Sequence, residues 1–130
     1  MNLDIDHVAV KVADIDRVLR SFEELGYPNS GKIRYDEVGM DIAFLGAGPG
    51  KLELLQAVDS TSPVFSAPEG LHHVAVKVGD IEAAHTRMSE SRRFIVEGPV
   101  RPGAHSRIFF FRIAGEDGTL YECVESDGGE

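Results

Sequence analysis

Cysteine is nearly missing from this chain: among 130 residues only Cys123 carries a thiol. A single cysteine cannot close an internal disulfide, which fits a reducing compartment. It stands in an apolar alternating run and reads as a buried structural thiol rather than a nucleophile. Long hydrophobic runs are missing too, and no stretch approaches the ~18 residues of a membrane-spanning helix. Asp4 and Asp6 stand where a secretory signal would be basic and then apolar, so the cytoplasm is the expected location and no membrane partner is expected. Basic residues are scarce, 13 against 22 acidic ones, for a formal charge of −9. That balance argues against nucleic acid, whose phosphates want a basic surface, and a large anionic ligand would depend on a local basic patch.

What the chain does have is an ordinary globular composition, 42% hydrophobic and 27% charged, and a repeat. "HVAVKVADI" begins at His7 and "HVAVKVGDI" at His73, and they differ only at Ala13 and Gly79. The offset, 73 − 7 = 66, is about half the chain, too long for a solenoid unit and suited to a duplicated half-domain. Valines 8, 10 and 12 share one face of a strand, and His7, Ala9 and Lys11 share the other. Asp14 is then placed to cap a helix whose apolar stripe is Ile15, Val18, Leu19, Phe22 and Leu25, stopped by Gly26. Strands are expected near Lys32–Tyr35, Met40–Leu45 and Lys51–Ala57.

The second half repeats the plan, with strand Leu71–Val78, cap Asp80, and a helix carrying Ile81, Ala84, His85 and Met88. Strands near Phe94–Glu97, Arg107–Ile113 and Thr119–Glu125 follow. The fold class expected is α+β, two tandem βαβββ modules in a single domain spanning 1–130. Module 1 covers 1–58 and module 2 covers 71–126, joined by linker 59–70, "DSTSPVFSAPEG", which is too short and too apolar at Val64 and Phe65 for a disordered tether. The tail "SDGGE" should fray.

Each half closes on an acid in an apolar strand: Glu53 between Leu52 and Leu54, and Glu122 between Tyr121 and Cys123. A charge at such a position is costly unless it is paired or meets a cation. The anomaly occurs twice, 46 residues after His7 (53 − 7) and 49 after His73 (122 − 73). Taken singly, each histidine could merely open a strand and each glutamate form an ion pair. Taken together, His7, Glu53, His73 and Glu122 suit one divalent ion of Zn, Ni, Co, Mn or Fe type.

These stretches resemble the vicinal oxygen chelate superfamily of glyoxalases, bleomycin-resistance proteins and dioxygenases. The likeness rests on "IDHVAVKVADID", "LELLQ", "GLHHVAVKV" and "GTLYECVE" and covers nearly the whole chain. The doublet in "GLHHVAVKV", the "SP" at Ser62–Pro63, "GAHS" at Gly103–Ser106 and "YDEVGMDIAFL" are most similar to its methylmalonyl-CoA epimerase branch. The resemblance implies a cupped mixed sheet with helices outside and one metal ligated by His7, Glu53, His73 and Glu122, with His72 outside the set. Cobalt, nickel, manganese or zinc is implied. Iron fits less well, since ring-cleaving dioxygenases use two histidines and one carboxylate.

The implied activity is a metal-dependent epimerase or isomerase that removes a proton alpha to a carbonyl through a metal-stabilised enediolate. Glu122 is its first candidate base and Glu37 its opposing acid. The alternatives are a glyoxalase I-type lactoylglutathione lyase and a non-catalytic small-molecule binder of bleomycin-resistance type. The implied substrate is an acyl-CoA or other thiol-derived carbonyl compound, and a homodimer is the implied assembly. Lys11, Lys77, Arg101 and Arg107 could meet anionic parts of such a substrate, and His105 could touch it from its glycine-flanked loop. Lys77, Arg107 and His105 are carried forward as substrate-binding candidates.

Overall fold

The computed structural model describes residues 4–116 and 118–126. They divide into two compact units, one of residues 7–72 and one of residues 73–126 with 4–6. In the first unit the order is β1 (Ile5–Lys11), α1 (Ile15–Glu23), β2 (Ile33–Tyr35), a 3-10 turn (Asp36–Val38), β3 (Met40–Leu45) and β4 (Lys51–Ala57). The second carries β5 (Gly70–Val78), α2 (Ile81–Glu90), β6 (Phe94–Pro102), β7 (Arg107–Ile113) and β8 (Tyr121–Glu125). Both are βαβββ, so the α+β class holds.

Sheet order is β2-β3-β4-β1 in the first unit and β6-β7-β8-β5 in the second. The hairpin neighbours are antiparallel, while β1 runs parallel to β4 and β5 parallel to β8. A strand and helix followed by a meander place the first and last strands side by side, and a parallel pair of this kind needs the long crossover.

The helix caps are those the sequence indicates. Asp14 accepts from the Arg17 N–H at 3.3 Å and Asp80 from the Ala83 N–H at 3.0 Å. Helix α1 lays Ile15 and Leu19 onto Ala43, Leu45 and Leu54, with Val10 and Val12 beside them. Helix α2 lays Ile81, Ala84 and Met88 onto Phe109, Phe111 and Cys123, with Val76 and Val78. The valines of each repeated strand therefore face the helix. Because strand side chains alternate, the residues between them point to the opposite face, called here the far face. Cys123 is buried in the α2 core, and burial pushes its thiol up to about 12, with the Glu122 carboxylate adding to the shift.

Three boundaries differ from the sequence reading by two residues or more. Helix α1 stops at Glu23 and leaves Leu25 70% exposed, because the chain already turns toward Gly26 at φ +86°. Strand β6 continues to Pro102, past the expected end at Glu97. Gly98 at φ +82° absorbs a bulge, and pairing resumes at Arg101 with Ile108. Strand β8 begins at Tyr121, two residues later than expected. Apart from Ser126, whose N–H donates to the Val78 carbonyl, the tail lies outside the described residues. No helix among the described residues is long and apolar enough to cross a membrane.

Phe109 has no exposed surface and meets every layer of the α2 core, including the edge of the His85 ring at 4.9 Å. Phe109→Ala is expected to cost about 3–5 kcal/mol, the range for emptying a buried aromatic position. A urea melt reads this as a lower midpoint at unchanged slope.

Candidate functional site

The far face of the first unit holds His7 and Glu53. Parallel pairing of β1 with β4 sets Ala9 opposite Glu53, so His7, two residues back on the same face, leans diagonally onto the carboxylate. His7 Nε2 lies 3.2 Å from Glu53 Oε1. Phe44, the antiparallel partner of Glu53 on β3, presents its ring to the imidazole edge-on, centroids 6.1 Å apart. Lys51 Nζ lies 5.7 Å from the centre of the Phe44 ring.

The second unit repeats this constellation. Ala75 on β5 pairs with Glu122 on β8, and His73 Nε2 lies 3.5 Å from Glu122 Oε1. Phe110, the β7 partner of Glu122, meets the His73 ring edge-on at 5.3 Å. The Arg101 guanidinium lies 5.2 Å from the Phe110 ring centre while Nη1 donates to the Pro99 carbonyl at 2.9 Å. Each pair is almost wholly desolvated: exposures are 6% for His7, 6% for Glu53, 4% for His73 and 6% for Glu122.

The phenylalanines escaped the sequence reading although a signal existed. Their offset, 110 − 44 = 66, equals that of the histidines, whereas the glutamates differ by 122 − 53 = 69. The three extra residues fall in the longer connection before β8.

Of the remaining candidates, His105 and Arg107 line one cleft together with Gly79, Glu125 and Ser126. Glu37 sits on the exposed 3-10 turn between β2 and β3. That turn ends at Gly39, φ +58°, where an added Cβ would fall 2.4 Å from Thr61 Oγ1 and 2.6 Å from Asp59 Oδ1. Along β3, Met40 lies four residues from Phe44, roughly 13 Å of strand. Lys77 is half-buried on the far face of β5, two residues beyond Ala75. His105 is exposed on a turn closed by the Gly103 N–H donating to the Ser106 carbonyl at 2.8 Å. Lys11 is engaged by backbone carbonyls of the connector. His85, on α2, donates from Nε2 to the Gly98 carbonyl at 2.9 Å.

Arg107, expected as a substrate contact, has carboxylate partners of its own. Alternation along β7 puts it on the side of Phe109 and Phe111, toward α2. There it donates to both oxygens of Glu125, at 2.9 and 2.7 Å, and to Glu82 on α2 at 2.8 Å. Those carboxylates hold its guanidinium above the usual arginine range, and it in turn holds Glu125 below the usual carboxylate range. Its charge is already met.

The chain belongs to the Glyoxalase/Bleomycin resistance protein/Dioxygenase superfamily, whose family model matches residues 6–111. Within that class several of its relatives are epimerases by name, and others carry no assigned activity. It is 28% identical over 129 residues to the mitochondrial methylmalonyl-CoA epimerase of Bos taurus, a match covering 94% of this chain and 74% of that protein. It is likewise 28% identical over 133 residues to the ethylmalonyl-CoA/methylmalonyl-CoA epimerase of Cereibacter sphaeroides, covering 93% of this chain and 96% of that one. The crystal structure of methylmalonyl-CoA epimerase from Mycobacterium tuberculosis superposes with a TM-score of 0.75 at 29% identity, over 94% of this chain and 87% of that one.

The Arg107–Glu125 pair has a pH signature. Because the folded-state pKa of Glu125 is depressed, its contribution is present above the ordinary carboxylate value of 4.5 and is lost as pH falls through the lower folded value. Arg107→Ala should therefore melt below wild type at neutral pH, with the gap closing only in acid. Thermal melts across that range check it; a gap that widens in acid contradicts the assignment.

Proposed function

We propose that this protein is a divalent-metal-dependent epimerase acting on an acyl thioester with an acidic α-carbon, with methylmalonyl-CoA as the leading substrate. The observation that supports it most is the buried His–Glu pair, present at the same place on the same face of each unit. The names of the relatives supply the substrate class.

The donor set fits a metal. Two imidazole nitrogens and two carboxylates suit the divalent ions from manganese to zinc, and carboxylates this little exposed need a positive partner. His7, Glu53, His73 and Glu122 would hold the ion. When bound, it would supply positive charge to the substrate's carbonyl oxygens and so raise the acidity of the α-carbon.

The chain's own residues would do the rest. Glu122 would take the α-proton onto a carboxylate oxygen. Glu37, whose turn stands about four strand residues from Phe44, would have to reach in to deliver a proton to the opposite side of the same carbon, inverting the centre with no net change in composition. Its exposed turn allows Glu37 to reload from solvent. Phe44 and Phe110 would keep the imidazole rings oriented and water away from their edges. A homodimer is part of the same proposal, and light scattering reads it.

Purified protein exposed to Co²⁺, Ni²⁺, Mn²⁺ or Zn²⁺ should retain one equivalent per chain, and His73→Ala should lose it. Deuterium uptake from solvent into methylmalonyl-CoA should accompany inversion. Glu122→Gln should lower that rate by about 10²–10⁴-fold, the usual worth of a general base, and weaken metal retention as well. Glu37→Gln should keep the metal and keep exchange at one enantiomer while inversion stops. Failure to retain any divalent ion, or turnover of a glutathione hemithioacetal in place of the malonyl thioester, would sink this reading.

A further inference from the structure

The two units finish the same face differently. In each, a second row of far-face side chains crosses the sheet one pleat period, about 7 Å, beyond the alanine, glutamate and phenylalanine of the site. Strand register sets Lys11, Leu55, Ile42 and Ile33 in that row of the first unit. In the second unit it sets Lys77, Val124, Ile108 and Arg101 there.

The row of the first unit is covered by its own connector. Val64, 3% exposed, lies on Ala9, Ile42, Phe44 and Leu55. Lys11 holds this cover by its backbone, donating to the Phe65 carbonyl at 2.9 Å and to the Ala67 carbonyl at 2.5 Å. Ile42 and Phe44 are buried beneath it. The row of the second unit is more open. Ile108 and Phe110, which stand 66 residues after Ile42 and Phe44, are only half-buried. Lys77, the counterpart of Lys11, is half-buried too, and among the described residues its ammonium makes no hydrogen bond or ion pair.

This open row leads from Glu122 toward a cleft. Gly79, two residues past Lys77, and Ser126, two past Val124, line the cleft with the turn between β6 and β7, and its volume is about 810 Å³. On that turn the Ser106 hydroxyl is buried and has no hydrogen-bond partner among the described residues. From Glu122 to Ser126 is four residues, roughly 13 Å of strand.

We propose that this strip of the second unit is the track for the amide-bearing arm of the thioester substrate, with Lys77 donating to an amide carbonyl of that arm. The connector is the precedent within the molecule: a lysine at this place on the far face holds a chain with an apolar body and amide carbonyls. A pantetheine arm has the same chemistry, two amides and a methyl-branched segment without charge. Its thioester end would lie beside Glu122, and its outer end, which bears the phosphates in coenzyme A, would reach the open cleft. This rests on the epimerase reading above and deepens it by naming how the carrier is recognised.

The kinetic test uses the cobalt-loaded full chain as wild type, Lys77→Met and Lys77→Arg. Its substrates are three thioesters of methylmalonate: that of coenzyme A, that of pantetheine, which keeps both amides without a phosphate, and that of methanethiol, which has neither. Lys77→Met should raise KM about tenfold or more for the first two, the worth of a hydrogen bond from a charged donor, with kcat nearly unchanged. The methyl thioester should be unaffected, and Lys77→Arg should recover most of the loss. A loss confined to coenzyme A assigns Lys77 to a phosphate and overturns the proposal. An equal loss with the methyl thioester, or no loss, overturns it as well. A second readout needs no turnover: S-methylpantetheine titrated into isotope-labelled, zinc-loaded wild type should shift NMR signals of β5 and β8. If Lys77→Met does not fold, an absence of those shifts in wild type overturns the track. If wild type turns over none of the thioesters, the epimerase reading fails, and the titration alone decides the track.

Discussion

A carboxylate that exposes only 6% of its surface must be paired within the fold, and each unit places one such carboxylate against an imidazole. Much of each unit's construction can be understood from that requirement. The parallel pairing of the first and last strands sets an alanine opposite the glutamate and brings the histidine two residues back within reach of it. A short residue at Ala9 and Ala75 leaves room for the diagonal contact. The antiparallel neighbour supplies a phenylalanine whose edge closes the other side of the ring. The helix can lie only on the opposite face, where the valines are, so packing and chemistry are divided by the two-residue period of the strand.

The two units have diverged freely away from this constellation. Position 41 of the first unit corresponds to position 107 of the second by the 66-residue offset, and the charge there is inverted. Asp41 is buried and accepts from Arg34 on the adjacent strand, while Arg107 reaches Glu125 and Glu82. Either sign serves, provided that a partner is near. The cations over the two phenylalanines differ as well: Lys51 comes from β4, Arg101 from beyond the β6 bulge. Histidine, alanine, phenylalanine and glutamate of the constellation keep both identity and place.

The connector belongs to the first unit rather than standing apart from it. Its Asp59 and Thr61 close on bare Gly39, its Val64 joins the far-face apolar cluster, and its carbonyls receive Lys11. A lysine that looks in sequence like a solvated charge thereby becomes part of the packing. The equivalent lysine of the second unit, Lys77, stands at the same place on β5.

The amino-acid sequence by itself determined the duplicated βαβββ order, the two aspartate caps, the face on which the valines pack, and the His–Glu couples. The first three are local patterns of period 2 or 3.6, or exact repeats, and the couples show as a charge set in an apolar strand of each half, so all are readable without knowing what lies across the sheet. Only the tertiary structure decided which charges were already committed and which aromatics mattered. Arg107, Lys11 and Phe44 acquire their roles from partners 18, 54 and 9 residues away, set beside them by strand register and by the return of the connector. Register is a property of paired strands, so a single strand's sequence cannot display it.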